Sequence, residues 1–224
     1  MNKLLTTVAA SLVATLSFTA VNSGEFRAGV AMVGAGDYAT ATETRKDSLN
    51  KSKQEAVLAH SYGVLFGEFA MDAAGGLTLG FEYAPETIQL ETETRNIRPS
   101  ATGDSGSQVI AAEVEDIMTA YVSLPIGGTG AYAKVGYSMA TLNTKETLAT
   151  GSTYGNVDMT GTQLGLGYHG EIGDKAFYKL EGNYSAWDDI AVNGSEVGGT
   201  SGSFNKIEAK ITGVSARLAV GLRF

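Results

Sequence analysis

The chain has 224 residues, 43% hydrophobic and 18% charged, with a formal net charge of −8. The charged share lies below the roughly 25% of ordinary soluble chains, and no basic stripe exists to meet phosphates, which argues against a nucleic-acid partner. The lack of cysteine removes disulfides, thiol catalysis and cysteine-ligated metal together.

The first element is a leader. Lys3 precedes an apolar run from Leu4 to about Val21, the charged and apolar regions of a secretory signal peptide. Cleavage after Ser23 or after Ala20 are the two alternatives, and Val21 and Ser23 fit the small-residue rule better. The division expected is therefore 1–23 signal peptide and 24–224 a single domain. Beyond the leader no apolar run of about 18 residues occurs, which excludes helical spans. Glycine is abundant at 29 residues and proline scarce at 3, a balance that favours crowded strands over linkers.

Eight segments then alternate with period two. The first, about Glu25 to Tyr38, sets Phe26, Ala28, Val30 and Met32 against Arg27, Gly29 and Ala31. A polar stretch without period, Thr40 to Glu55, follows. The second segment, about Ala56 to Met71, carries His60, Tyr62, Val64, Phe66 and Glu68 on one face. The third alternates Leu77, Leu79, Phe81 and Tyr83 with Thr78, Gly80 and Glu82, and Pro85 marks its departure from a regular ladder. The polar stretch from Glu86 to about Glu115 separates it from the fourth, about Glu115 to Leu124, and because its ends alternate weakly both strands are expected to extend beyond the membrane. Two facings are open there, and the one with Met118, Ala120, Val122 and Leu124 outward is favoured over the one with Ile117 and Tyr121 outward. The fifth places Tyr132, Lys134, Gly136 and Ser138 opposite Ala133, Val135, Tyr137 and Met139. The sixth, about Met159 to Gly170, opposes Leu164, Leu166 and Tyr168 to Gln163, Gly165, Gly167 and His169. The seventh, Ala176 to about Trp187, opposes Tyr178, Leu180 and Tyr184 to Phe177, Lys179, Glu181 and Asn183. The eighth runs from about Lys206 to Phe224 with Leu218, Val220, Leu222 and Phe224 outward and Arg217 inward.

The seven connections alternate long and short, the short ones lying near Asp72, Pro125 and Glu171. Antiparallel strands with short turns at one end and long loops at the other are the pattern of a membrane barrel. A soluble sandwich has little reason to sort loop length by side. The expected fold is all-β: an eight-stranded antiparallel transmembrane β-barrel with short periplasmic turns and four long extracellular loops. An even strand count puts both ends on the short-turn side, where the first strand can pair with the eighth and remove both edges.

The strand count, the loop alternation and the terminal Ala216-Arg-Leu-Ala-Val-Gly-Leu-Arg-Phe224 resemble the small outer-membrane β-barrel family, which includes the outer-membrane protein A transmembrane domain and opacity-type porins. The resemblance covers essentially the whole chain after the leader and rests on pattern, the final strand being its most specific part. It implies residence in the bacterial outer membrane after secretion through the inner membrane. It also implies contact with outer-membrane lipid and lipopolysaccharide, and delivery to the barrel-insertion machinery through the C-terminal strand. No cell-wall-binding domain follows the eighth strand in this sequence, so anchoring to the wall is not implied.

Inward positions collect Arg27, Glu68, Glu82, Lys134, Lys179, Glu181 and Arg217. In a narrow lumen an unpaired charge costs several kcal/mol, so these residues should pair. An ion-paired plug is the favoured expectation, and a charged constriction in a narrow pore is the alternative. No catalytic, cofactor or metal site is expected. His60 and Ser61 point to opposite faces of one strand and cannot meet as base and nucleophile. His169 lies near the short turns, and two distant histidines make a poor metal site. Trp187 and the outward tyrosines are expected at the membrane interface. The functional expectation is a structural and surface-interaction role without catalysis, its surface ligand unspecified. A narrow porin for small solutes or ions is the first alternative, and a lipid A-modifying enzyme the second.

Overall fold

The structure is a computed structural model that describes residues 24–44, 51–72, 75–90, 93–97, 106–147, 153–195 and 205–224. The predicted leader, residues 1–23, lies outside the described residues. Among the described residues eleven strands form one antiparallel sheet: β1 (Gly24–Thr44), β2 (Lys51–Met71), β3 (Leu77–Ala84), β4 (Ile88–Gln89), β5 (Glu93–Ile97), β6 (Gly106–Pro125), β7 (Ala131–Thr147), β8 (Val157–Ile172), β9 (Ala176–Trp187), β10 (Ile190–Asn193) and β11 (Lys206–Arg223). Eight of them make the barrel in the order β1-β2-β3-β6-β7-β8-β9-β11. β11 then returns to β1, in register from Arg27 opposite Arg223 to Thr44 opposite Lys206, so the sheet has no edge at this seam. The three small strands β4, β5 and β10 pair with β6 and β11 above the barrel proper.

The outer surface is apolar because every second residue of each strand is. Val30, Met32, Leu65, Val135, Leu164, Leu166, Leu180, Leu218, Val220 and Leu222 are all exposed on it. So many exposed large aliphatics on a closed sheet form a belt that only lipid can cover. Phe224, 75% exposed, ends the belt at the seam, where its amide donates to the Phe26 carbonyl at 2.9 Å and its ring lies 6.1 Å from that of Phe26. Tyr137, Tyr168 and Tyr184 are also outward.

The short turns rely on glycine where the chain must reverse. Gly127 and Gly130 take φ of 62° and 83°, and Ile126 donates to the Ala131 carbonyl at 2.7 Å to close that hairpin. At the other end three sequence boundaries change. The polar stretch read as connection from Thr40 to Glu55 is mostly strand, since β1 and β2 stay paired out to Thr44 opposite Lys51. β7 likewise continues to Thr147, and β6 begins at Gly106, the extension expected of the fourth strand. These extensions stand in water, where both faces can be polar, so the period-two signal vanishes although the hydrogen-bond ladder persists.

The ambiguous facing of the fourth barrel strand has a cause. The register of β6 against β7 slips between Glu115 and Met118, and Asp116 sits there with φ of 55°. A bulge inserts one residue, and each bulge reverses which parity faces inward. Below it Thr119, Tyr121 and Ser123 are buried in the lumen while Ala120 and Leu124 face out, the favoured reading. Above it Val114 packs inward beside Ile117. Asp tolerates the left-handed region better than most residues.

β3, expected to extend beyond the membrane as β6 does, is instead much shorter than its neighbours. It ends at Ala84, so β2 has a barrel partner on that side only from Leu65 to Met71. Beyond this point the Glu86 carboxylate accepts from the Gly63 amide at 3.3 Å. A side cleft lined by Val57, Leu58, Ala59, His60, Gln89 and Leu90 opens beside it.

Candidate functional site

The lumen is where the chain concentrates its buried charge. Alternation on β2, β3, β7, β9 and β11 carries Glu68, Glu82, Lys134, Lys179, Glu181 and Arg217 inward, each no more than 8% exposed. Glu181 is the hub. It accepts from Arg217 Nη1 at 2.8 Å, from the Tyr132 hydroxyl at 2.6 Å and from Lys134 Nζ at 3.2 Å, and Lys179 Nζ lies 3.7 Å away. Lys134 also donates to Glu82 at 2.7 Å, and Arg217 Nη2 stands 3.5 Å from the same carboxylate. Glu68 accepts from Lys179 and, at 2.5 Å, from the Tyr121 hydroxyl. Three acids thus face three bases, and the group is neutral as a whole. The aromatic rings complete it: Lys134 Nζ lies 4.2 Å from the Tyr121 centroid, Lys179 Nζ 4.6 Å from Tyr132 and Arg217 4.8 Å from Phe66.

Six of the seven inward charges named from the sequence therefore meet. Arg27 does not join them. It pairs with Glu25 two residues away, and Phe66 and Phe177 lie between it and the network. Of the three acids that could partner Arg217, Glu68, Glu82 and Glu181, it meets the last two, while Lys179 and Tyr121 both bond one oxygen of Glu68. At the periplasmic rim Arg223 donates to Glu171 at 2.8 Å and to the Asp174 carbonyl at 2.7 Å, fastening the last strand to the third short turn.

The tyrosine hydroxyls were not singled out from sequence. The signal that could have found them is the glycine beside each ring across the sheet. Gly80 pairs with Tyr121, and Gly167 with Tyr132. A Cβ at Gly80 would sit 2.1 Å from Tyr121 Cζ, and one at Gly167 2.4 Å from Tyr132 Cζ. The rings lie flat over these glycines, which lets the hydroxyls reach Glu68 and Glu181. Gly80→Val is expected to push Tyr121 off Glu68 and to lower stability by about 1–3 kcal/mol, the usual cost of overpacking. A urea titration of the folded protein in lipid checks this, and an unchanged midpoint would contradict the stacking role.

Above the charged layer the lumen turns apolar. Trp187, expected at the membrane interface, instead belongs to the inward parity of β9 and packs against the buried cluster of Ala140, Met159 and Ile190. With Leu58, Ile88, Leu90 and Val114 it helps line a cavity of about 790 Å3, its mouth included. His60 and Asp37 face one another there at 3.5 Å. Asp37 was missed, although stepping by twos from Arg27 reaches it. His169 stacks on Phe177 at 5.0 Å near the short turns. Among the described residues no three His, Cys, Asp or Glu side chains cluster as a metal site would require.

A closed eight-stranded antiparallel sheet, wrapped in an apolar belt and filled with paired charge, defines a transmembrane β-barrel of the outer-membrane kind. No family model and no curated protein matches the chain. Among solved structures it is similar to OprG from Pseudomonas aeruginosa, at 12% identity over 88% of this chain and 97% of that one, with a TM-score of 0.47. The outer-membrane protease OmpT from Escherichia coli is similar at 10% identity over 89% and 97%, with a TM-score of 0.47. Ail, the attachment invasion locus protein of Yersinia pestis, is similar at 12% identity over 88% and 99%, with a TM-score of 0.35.

Proposed function

We propose that this barrel is a closed, non-catalytic envelope protein whose work is done by the strand extensions it holds outside the membrane. The observation that carries this reading is the buried, neutral network that crosses the lumen from Glu68 to Arg217. A solute would have to separate charges that burial makes expensive to leave unpaired. Above the membrane β1 and β2 rise as a long polar hairpin. Lys53 donates to Glu55 there at 2.6 Å, and each pushes the other toward its charged form: the carboxyl is held below its usual range and the ammonium above. Such a hairpin presents backbone and mixed charge to lipopolysaccharide or to a surface ligand.

On this reading the leader carries the chain across the inner membrane, and the strand ending in Leu218, Val220, Leu222 and Phe224 is the part the insertion machinery meets. Purified barrel in planar lipid bilayers is expected to give no reproducible single-channel steps. Steps whose ion selectivity changes with Lys134→Met would replace this proposal with the narrow pore. Lipid A from cells expressing the protein is expected to keep its mass, and a shifted mass would point to an enzyme instead.

A further inference from the structure

We infer that the upper lumen is a binding site for a small neutral molecule with an apolar body and a hydroxyl or carbonyl end. A barrel lumen that faces water is ordinarily polar. Here the wall above the charged layer is built from Leu58, Ile88, Leu90, Val114, Met159 and Trp187. Leaving such a surface in water is unfavourable in proportion to its area. An apolar concavity with a few convergent polar groups is the ordinary form of a small-molecule site.

The polar groups stand at its floor. The apolar cavity shares Tyr62, Ile117, Thr119, Gln163 and Ser215 with a smaller space below, which reaches Asn183 and Arg217. Arg217, 3% exposed, has no hydrogen-bond partner among the described residues for its Nε, and its Nη2 has only the 3.5 Å contact with Glu82. The Gln163 and Asn183 side-chain oxygens are likewise buried without one. Buried polar atoms are rarely left so. The floor therefore offers donors and acceptors together, and a hydroxyl can satisfy both kinds.

The ligand is neutral because the charges around the cavity are already matched. Glu82 and Glu181 flank Arg217, and Lys134 bridges those two acids. An anion entering toward Arg217 would meet Glu82 on the same floor. The site goes beyond the envelope role proposed above. It uses the network only as its base, and conductance tests that role separately.

The chain has a single tryptophan, and Trp187 lines the cavity, so its emission reports the site directly. The test is contact quenching of Trp187 in lipid nanodiscs by 2,2,2-tribromoethanol, with tribromoacetate as the anion of similar shape. The alcohol is expected to quench along a saturable single-site curve, with the anion at least tenfold weaker. Ser138→Phe, which fills the cavity from β7, should weaken the alcohol at least tenfold, and Gln163→Leu about threefold or more. Heat-modifiable gel mobility shows whether each variant is folded. If Ser138→Phe does not fold, Gln163→Leu and the alcohol–anion pair decide the matter. Linear quenching that is equal in native protein and folded variants, as simple lipid partitioning gives, would overturn the site. Equal affinity for alcohol and anion would overturn the assigned chemistry.

Discussion

Glu181→Leu is expected to destabilise the barrel by about 3–5 kcal/mol, the cost of removing one partner from a buried ion pair. Glu181 is only 5% exposed and meets Arg217, Lys134, Lys179 and the Tyr132 hydroxyl. Without it the lumen holds three bases against two acids, and Arg217 keeps only its 3.5 Å contact with Glu82. The loss arises from stranded charge more than from lost attraction. It follows that Glu181→Leu combined with Arg217→Leu should recover about half or more of it, because the count returns to two acids and two bases. Urea unfolding in lipid, followed by Trp187 emission, measures both. A single variant within about 0.5 kcal/mol of native, or a double variant worse than the sum of the two singles, would show that the network does not hold the barrel closed.

The second large effect lies on the opposite face. Leu218 is 54% exposed, midway along the outward row of β11 from Val214 to Phe224. Leu218→Arg should cost about 2–4 kcal/mol, the penalty for a guanidinium at the bilayer midplane. The same change at Leu222, near the periplasmic rim, should cost about 0–1 kcal/mol, since the side chain can reach the headgroups. Refolding yields and urea midpoints in bilayers of defined thickness give the comparison. Equal costs at the two positions would contradict the membrane orientation, whereas a soluble sheet would tolerate both.

The two predictions draw on different depths of information. Leu218 can be placed on the lipid face by counting residues in the last strand, because a strand's side-chain direction is a local property. Glu181 can be placed in the lumen the same way. That it is the hub cannot. Arg217 had three carboxylates within the same tube to choose from, and the choice went to Glu181 because the two residues are register partners on β9 and β11. Glu68 was claimed from the far wall by Lys179 and Tyr121. Arg27 is the register partner of Glu68, yet it pairs with Glu25 two residues away while Lys179 and Tyr121 reach Glu68, so parity and register together still do not name the partner.

The bulge at Asp116 shows the same limit from another side. Period-two counting carries no warning of an inserted residue, so Val114 and Tyr121, seven apart, both end up inward. Trp187 was misplaced for a related reason. Its parity is inward, but composition alone suggests a membrane-interface residue. Burial beside Met159 and Ile190 depends on β8 and β10, which the sequence of β9 does not contain.

What the sequence determined by itself is the barrel: eight alternating rows, the side that carries the short turns, the lipid face and the residues that point inward. These follow from residue-by-residue chemistry and the two-residue repeat of an extended chain. Only the tertiary structure decided which inward charges pair, that the polar extensions stay in the sheet, and that an apolar cup sits above a neutral plug. Those depend on register, stagger and strand length across the whole ring, and a contact between Glu181 and Lys134, 47 residues apart, is a property of the closed ring rather than of either strand.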